Sequence, residues 1–474
     1  IEGKPKVDNS PEDNKNNMSE SKSVTDTKSM PRADEYPSSG QANYLLGLMF
    51  LAYVVSFIDR QVLGVLVGPI KADLDLSDFQ FSLLQGAAFA ILYSVMAIPL
   101  GRLTDTKNRK LIVAIGVFGW SLMTVGCGMA KNFGQLFVMR MGVGVGEAAL
   151  SPAAYSMIAD SFTREKLTRA MAIYKAGLYV GGGLALVLGG YIYDYYDAIP
   201  DLSFPLLGSV NAWQATFVSV GLPGFLLSFM ILFIKEPTRK GMIRADDGSQ
   251  PASLKIREVF AFMFIEHRQL YISLFVGCSI LAIVGAGYSS WFTEMLIRNF
   301  SLQRSHAGSL VGSVIIFSGL LGVFSGPVFV GYFQRRNFAD SNMRVLMFLS
   351  IALIPTSIAA PQMSSHVMAL VLLSVTVFFQ ASYMGVAAAA VQMVTPNQMR
   401  GQATAVYMFA TNMLGLALGS TLVAVLTDFV FVDEGALMHS LSLISAVLLP
   451  MAAWMFWRGL NAFSAAIKKS EDWS

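Results

Sequence analysis

The amino-acid sequence predicts an all-α membrane protein in which twelve transmembrane helices form two pseudo-symmetric bundles of six. Hydrophobic residues make up 54% of the 474 residues and charged residues only 14%, whereas soluble domains carry about 25% charged residues. Twelve apolar runs follow residue 42, and each approaches the length of about 20 residues that a bilayer requires. Since lipid leaves no backbone polar group unpaired, such runs must be helices. This composition excludes a soluble enzyme, a disulfide-rich secreted scaffold and a nucleic-acid-binding protein.

The twelve apolar runs form two groups of six on either side of a polar, basic stretch. They cover 43–69, 79–100, 111–130, 134–160, 167–193, 213–234, 270–297, 305–331, 344–360, 366–394, 401–428 and 437–457. The predicted organisation is a cytoplasmic tail over 1–42, an N-terminal bundle over 43–234, a cytoplasmic linker over 235–269, a C-terminal bundle over 270–457 and a cytoplasmic C-terminal segment over 458–474. The tail has too little apolar surface to bury, so we expect it to be disordered.

Lysine and arginine are distributed unevenly among the predicted loops. If the loops alternate between the two sides of the membrane, 27 of the 34 Lys and Arg residues fall on the side of the N-terminal tail and only four on the other. Since loops rich in Lys and Arg stay in the cytoplasm, we predict that both chain termini are cytoplasmic. The short loops are typical of a prokaryotic protein, so we expect it in the bacterial inner membrane.

The two predicted bundles share a short internal repeat. Residues Ala170–Tyr174 in the fifth run match Ala403–Tyr407 in the eleventh run, and Gly182 then falls on Gly415 at the same offset. The repeat agrees with the division of the runs by the central basic stretch. Two related halves with a binding site between them are the layout of many secondary transporters.

Charged residues lie inside two of the predicted membrane helices. Asp59 and Arg60 belong to the first run, and Arg140 and Glu147 to the fourth, where they are two helical turns apart and share a face. A charge at this depth costs about 3 kcal/mol unless it is paired or hydrated. We predict proton coupling by Asp59 and Glu147, tuned by both arginines, because burial favours the protonated carboxyl group. Two alternatives stay open: a static salt-bridge network, or arginines that anchor a substrate phosphate or carboxylate.

The polar segment that follows the second apolar run contains a glycine, an acidic residue and several basic residues. Residues 101–110 read GRLTDTKNRK and resemble the G-x-L-x-D-x-x-G-R-K/R signature of the major facilitator superfamily, with Asn108 in place of the second glycine. We interpret Asn108 as a substitute because asparagine also accepts left-handed backbone. The resemblance implies a loop that stabilises a closed cytoplasmic gate, with Asp105 accepting from Arg109 or lying at a helix N-terminus. The predicted gate residues are Gly101, Asp105, Arg109 and Asp160.

The first and fourth runs narrow the resemblance further. The Asp59–Arg60 pair, the pattern R-x-G-x-G-x-G-E-A-x-x-x-P from Arg140 to Pro152, and the I-x-D-x-F pattern from Ile158 to Phe162 resemble the Spinster branch of that superfamily. Animal members of the branch carry lysolipids or sphingosine-1-phosphate. The resemblance therefore implies an alternating-access transporter and a lipid-like substrate.

Four further residues are candidates for the transport pathway. Lys175, in the fifth run, could either extend its ammonium group to the membrane surface or join a central cavity as a substrate anchor. Glu294, near the outer end of the seventh run, is either an interfacial acid or part of an outer gate and cavity. Trp291 and Tyr383 are possible cavity residues for an amphiphile, although aromatic residues in spans are more often packing or belt residues.

These observations predict a transporter and no enzyme. Cys127 and Cys278 lack metal-like spacing and are expected to be buried thiols, and the four histidines fall in loops or at helix ends. We predict no metal, no cofactor and no nucleic-acid partner, and a monomer in the lipid bilayer. The predicted function is proton-coupled transport of a lipid-like or amphipathic organic anion. The alternatives are a polar metabolite or drug as the substrate, or a membrane sensor or enzyme that transports nothing.

Overall fold

The structure is a computed structural model that describes residues 36–204, 208–239, 256–396 and 399–470. Its helices are α1 Ser39–Gln61, α2 Val67–Leu74, α3 Asp78–Gln85, α4 Ala87–Thr106, α5 Arg109–Cys127, α6 Phe133–Glu147, α7 Leu150–Ser161, α8 Arg164–Asp197, α9 Ala212–Leu232, α10 Ile256–Ala261, α11 Arg268–Phe300, α12 Arg304–Gln334, α13 Ser341–Ala359, α14 His366–Met393, α15 Arg400–Val425 and α16 Leu437–Ser470. Strands β1 Ser203–Phe204 and β2 Gly208–Ser209 pair antiparallel between α8 and α9.

The predicted all-α membrane fold is confirmed. Eleven candidate spans in the described residues are long and apolar enough to cross a bilayer. The remaining predicted span, 134–160, is not one helix, because α6 ends at Glu147 and α7 begins at Leu150. Pro152, in the first turn of α7, has no N–H to donate to the carbonyl of Ala148, which weakens helical pairing at this point and suits the start of a new helix. The fourth span therefore consists of two helices that meet directly after Glu147.

The first two spans are also interrupted. A short 3₁₀ segment, Val62–Val65, connects α1 to α2. In the second span, α3 and α4 are separated at Gly86, where a Cβ atom would collide with the backbone carbonyl of Leu416 in α15. The close approach of a helix from the other bundle accounts for the glycine at this position.

Packing is repeated in the two bundles. In the N-terminal bundle α8 packs on α1, α9 on α5, and α6 on α4; in the C-terminal bundle α15 packs on α11, α16 on α13, and α14 on α12. Tyr174 and Tyr407, which end the two copies of the sequence repeat, are both buried. The predicted pseudo-symmetry therefore extends from the sequence repeat to helix packing.

The two bundles meet along α8 with α12, and along α3 and α4 with α15. A Cβ atom at Gly183 would collide with the carbonyl of Gly312, and the reverse also holds, so α8 and α12 pack with their backbones in contact. Further inward, the Tyr179 hydroxyl donates to Met384 Sδ at 3.2 Å. Among the described residues, the ion pairs between the bundles join Lys71 to Glu434 and Arg298 to Asp78, and both lie on the outer side of Tyr179. The outer side is therefore closed.

The helix ends differ from the predicted segment limits. Helix α1 begins at Ser39, after the N-cap Ser38, so part of the predicted tail is helical, while residues 1–35 lie outside the described residues. Helix α16 continues to Ser470 through most of the predicted C-terminal segment, with Lys468 and Lys469 in its last turn, where cations stabilise a helix.

Candidate functional site

A buried ion pair joins the first and fourth spans. The Arg60 guanidinium donates through Nε to Glu147 Oε2 at 2.5 Å, and the Ser56 hydroxyl donates to the same oxygen at 2.5 Å. The side chain of Glu147 is fully buried and that of Arg60 is 13% exposed. The second carboxylate oxygen of Glu147 is also buried, and it accepts no hydrogen bond. The pair thus connects α1 to the last residue of α6, where the fourth span is interrupted.

Aromatic rings hold Arg60 in place. The guanidinium carbon lies 4.8 Å from the ring centroid of Phe57, 4.4 Å from that of Phe89 and 4.8 Å from that of Tyr93. A guanidinium group on aromatic faces gains cation–π attraction and is shielded from water. These rings therefore orient Arg60 toward Glu147 before any substrate arrives.

The second predicted acid has a different environment. Arg140 donates through Nη1 to the backbone carbonyl of Asp59 at 3.0 Å and through Nε to the carbonyl of Leu84 at 3.5 Å. Both carboxylate oxygens of Asp59 are buried and no hydrogen bond of good geometry reaches them, although the Thr124 hydroxyl and Arg140 lie next to them. Arg140 thus binds backbone carbonyls on both sides and forms no ion pair with the Asp59 carboxylate among the described residues.

Three further candidates for the transport pathway differ in their exposure to solvent. The Lys175 ammonium group lies 5.3 Å from the ring centroid of Tyr155. The side chain of Lys175 is exposed. Trp291 is fully buried, and its indole N–H donates to the carbonyl of Ser420 at 2.9 Å. Tyr383 is buried as well. Trp291 and Tyr383 therefore pack inside the protein in this structure, and their part in a substrate cavity stays a prediction.

The predicted gate motif has a different local structure from the expected loop. Helix α4 continues to Thr106, so Gly101 lies within a helix and a Cβ atom there would meet nothing within 4 Å. Asn108 has φ −64° and ψ 112°, which is extended and not left-handed, and its side chain accepts from the backbone N–H of Leu111 at 3.0 Å. Asn108 therefore serves as the N-cap of α5. The side chain of Asp105 lies outside those that the structure describes.

Arg109 has carboxylate partners other than the expected one. Its guanidinium donates to Asp160 Oδ2 at 2.5 Å and to Glu236 Oε1 at 3.2 Å, and it is fully buried. It also donates to the carbonyl of Pro237 at 2.6 Å. The contact connects the start of α5, the end of α7 and the first residues of the linker. The predicted grouping of Arg109 with Asp160 matches this geometry, and the linker residue Glu236 is an addition that the motif did not indicate.

We expect Asp160→Asn to lower the melting temperature of the purified protein in detergent. Breaking a buried ion pair costs about 3–5 kcal/mol, and the remaining partner Glu236 reduces the expected loss to about 2 kcal/mol. Asp75→Asn is the matched control, because Asp75 is exposed. An unchanged melting temperature for Asp160→Asn would show that the pair contributes nothing to the bundle.

A network of six charged residues closes the outer side, and we call it the outer lock. Its members are Lys71, Asp78, Glu294, Arg298, Arg304 and Glu434. The central contact is bidentate: Arg298 of the C-terminal bundle donates to both oxygens of Asp78 in the N-terminal bundle, each at 2.8 Å. Lys71 donates to Asp78 at 2.5 Å, and Arg304 donates to the carbonyl of Val65 at 2.9 Å. Asp78 is fully buried, so the contact is shielded from water.

Glu294 is a member of the outer lock. It accepts from Arg298 at 3.0 Å and from Arg304 at 3.3 Å, and it is buried at the contact between the bundles. This position agrees with the outer-gate alternative for Glu294, whose role in transport stays a prediction. The cross-bundle pairing could not be read from the sequence, because each pair joins residues more than 200 positions apart.

Cys127 and Cys278 are buried free thiols in this structure, as predicted. The histidines also lie where expected: His267 precedes α11, and His306, His366 and His439 lie in the first turns of their helices.

Two repeated helix bundles, a closed outer side and charged residues at membrane depth define a secondary transporter. The chain belongs to the Major Facilitator Superfamily, whose sequence profile matches residues 49–420. It is accordingly an integral, multi-pass membrane protein of a transporter family and not an enzyme.

Similar proteins have different stated roles. The chain is 24% identical over 418 residues to an MFS-type efflux pump of Mycolicibacterium smegmatis, covering 87% of this chain and 91% of the pump. It is 24% identical over 348 residues to a probable L-galactonate transporter of Escherichia coli, covering 70% of this chain and 71% of that protein. A solved bacterial homologue of the human lysosomal transporter Spinster, in an inward-facing and unoccupied conformation, superposes with a TM-score of 0.73 at 24% identity, covering 92% of this chain and 99% of that one.

Proposed function

We propose that this protein is a proton-coupled secondary active transporter that carries a lipid-like or amphipathic organic anion by alternating access. The observation that carries the proposal is the buried Arg60–Glu147 pair, with the unpaired carboxylate of Asp59 beside it. Charges at this depth are costly to keep, and in membrane proteins they mark ion and proton pathways. The monomeric state and the proton as coupling ion belong to this proposal.

The geometry supports a specific role for Glu147. Protonation would remove its charge, and the attraction of Arg60 for Glu147 Oε2 would fall to that of an ordinary hydrogen bond. Arg60 connects α1 to the break between α6 and α7, so its release changes how these segments pack at the contact between the bundles. A difference of a few kcal/mol between the two conformations is enough to reverse which side is open.

Arg60 has a second possible role as the anchor of a substrate phosphate or carboxylate, with Glu147 as its counter-charge. Its side chain is 13% exposed, whereas that of Glu147 is fully buried, so a substrate anion would reach the arginine first. Competition between the substrate and Glu147 for Arg60 would itself couple substrate binding to proton binding. Arg140 is a weaker anchor candidate, since it is almost fully buried and bonded to backbone carbonyls.

A polar sugar acid is the second candidate substrate, and the similarity to a probable L-galactonate transporter favours it. Both candidate substrates are anions, and the Arg60 guanidinium of the N-terminal bundle can attract either one. They differ in the apolar tail, which a sugar acid lacks.

The test combines binding with flux. The purified protein would be exposed to lysophosphatidate, lysophosphatidylglycerol, galactonate and a neutral sugar, and each binder would then be assayed for uptake into proteoliposomes with and without an imposed proton gradient. We expect a lysolipid to bind and its uptake to rise with the gradient. Selective uptake of galactonate would refute the lipid-like substrate and support a sugar acid as the substrate. Binding without any gradient-dependent flux would refute proton coupling.

A further inference from the structure

Lys175 is a membrane-depth cation without a carboxylate partner. It lies eleven residues beyond Arg164, the start of α8, or about 16 Å along the helix axis. Within the described residues no carboxylate forms an ion pair with it, whereas Arg60 pairs with Glu147, and Arg109 pairs with Asp160 and Glu236. Its ammonium nitrogen lies 5.3 Å from the ring centroid of Tyr155. A charge at this depth requires water or an anion nearby.

Lys175 faces the space between the bundles and not the lipid. Tyr179, one helical turn further along the same face of α8, donates to Met384 in α14 and fills the space beside Gly319 in α12. Beyond Tyr179 the two bundles are in contact through Gly183 and its neighbours. Lys175 precedes this closed zone, on its predicted cytoplasmic side, and it is exposed.

The two walls of this space differ in chemistry. On the N-terminal side, Tyr53 stacks on Tyr174 at 4.6 Å between ring centroids, and Tyr155 packs edge-on against the same ring at 5.4 Å. Tyr174 is fully buried behind them, so the partly exposed Tyr53 and Tyr155 form a polar, cationic wall together with Lys175. On the C-terminal side, Met384 is 43% exposed and a Cβ atom at Gly385 would meet nothing within 4 Å. Charged residues of that bundle lie near the ends of its spans, so this wall is uncharged at mid-depth, and Met384 gives it an apolar surface.

We propose that Lys175, supported by the ring of Tyr155, binds the anionic headgroup of the substrate, and that the apolar C-terminal wall beside Met384 receives its hydrocarbon tail. This inference rests on the proposed transport function and assigns the headgroup to the carboxylate or phosphate-monoester class. It assigns the headgroup to Lys175 rather than to Arg60 and leaves the Arg60–Glu147 pair to proton coupling. An ammonium group is a compact point charge that suits either kind of anion.

The test compares Lys175→Gln, which removes the charge, with Lys175→Arg, which keeps it. Radiolabelled oleoyl lysophosphatidate, monooleoylglycerol and galactonate would be bound to each protein in lipid nanodiscs, with empty nanodiscs subtracted. We expect Lys175→Gln to lose about tenfold or more in lysophosphatidate affinity, the loss of one charge-assisted contact, and to bind uncharged monooleoylglycerol as the wild type does. Lys175→Arg should stay close to the wild type. The control is Lys131→Gln, since Lys131 is exposed on the outer side.

The outcomes separate this inference from the proposed function. If the wild type binds galactonate and not lysophosphatidate, and Lys175→Gln weakens galactonate binding, the anion site at Lys175 is supported. The same result refutes the lipid substrate. Equal affinity of Lys175→Gln and the wild type for the anion would overturn the headgroup site. Equal losses for Lys175→Gln and Lys175→Arg, or equal losses for the charged and uncharged probes, would also overturn it, and so would a wild type that binds neither anion.

Discussion

Replacement of Glu147 by glutamine should abolish the response of transport to a proton gradient and leave a folded protein that still binds substrate. Glutamine has the size of a protonated glutamate, and its carbonyl can still accept from Ser56 and Arg60 as Glu147 Oε2 does. The position can then no longer gain or lose a proton. Loss of about 3 kcal/mol of charge-dependent interaction corresponds to about a hundredfold change between conformations, so gradient-driven uptake should fall to the level without a gradient.

The measurement is uptake into proteoliposomes at several imposed pH differences, using whichever anion the binding panel selects. Glu266→Gln is the matched control, because Glu266 is exposed outside the spans, and it should respond as the wild type does. His267 is a poor alternative sensor near pH 7, since burial and the neighbouring Lys469 lower its pKa. A Glu147→Gln variant that keeps the full gradient response would refute the assignment and make Asp59→Asn the next variant to test.

The number and order of the membrane helices could be predicted because lipid leaves few alternatives. Apolar runs of span length must be helical, and the Lys and Arg asymmetry orients them. The interruptions were less predictable. Pro152 is a residue type that favours a break in the fourth span, because it lacks an N–H. The break at Gly86 instead depends on the close approach of Leu416 from the C-terminal bundle. Only the tertiary structure contains that information.

The candidate site shows the same limit. The sequence identified the charges of the first and fourth spans, and their costly position predicted that they meet. It did not predict that Arg60 pairs with Glu147 while Arg140 bonds to the backbone of Asp59. Helical periodicity places Arg140 and Glu147 on one face of the fourth span, but the choice of partner is made by side chains from α1. Likewise, Asn108 fitted a left-handed turn and an N-cap equally well as a residue type, and the backbone selects the cap.

The substitution Asp78→Asn should open the outer side of the protein. In the closed outer lock, Asp78 accepts two hydrogen bonds from Arg298 and one from Lys71. The Arg298 contacts join the two bundles, so outward opening must break them, whereas the Lys71 contact lies inside the N-terminal bundle and can persist. Asparagine keeps the shape but removes the charge and one acceptor oxygen. Loss of about 2 kcal/mol of closed-state stabilisation shifts the ratio of the two conformations about thirtyfold.

Distances across the outer side measure this shift directly. Spin labels at Lys131→Cys and Ser364→Cys report on the separation of the bundles, because both positions are exposed and on opposite bundles, while the native cysteines Cys127 and Cys278 are buried. We expect Asp78→Asn to add a longer-distance population that the wild type lacks. Glu434→Gln is the matched control within the same network: the Glu434 side chain is 66% exposed, and exposed ion pairs contribute about 0–1 kcal/mol. Identical distance distributions for Asp78→Asn and the wild type would mean that apolar packing of α8 on α12, and not the outer lock, keeps the outer side closed.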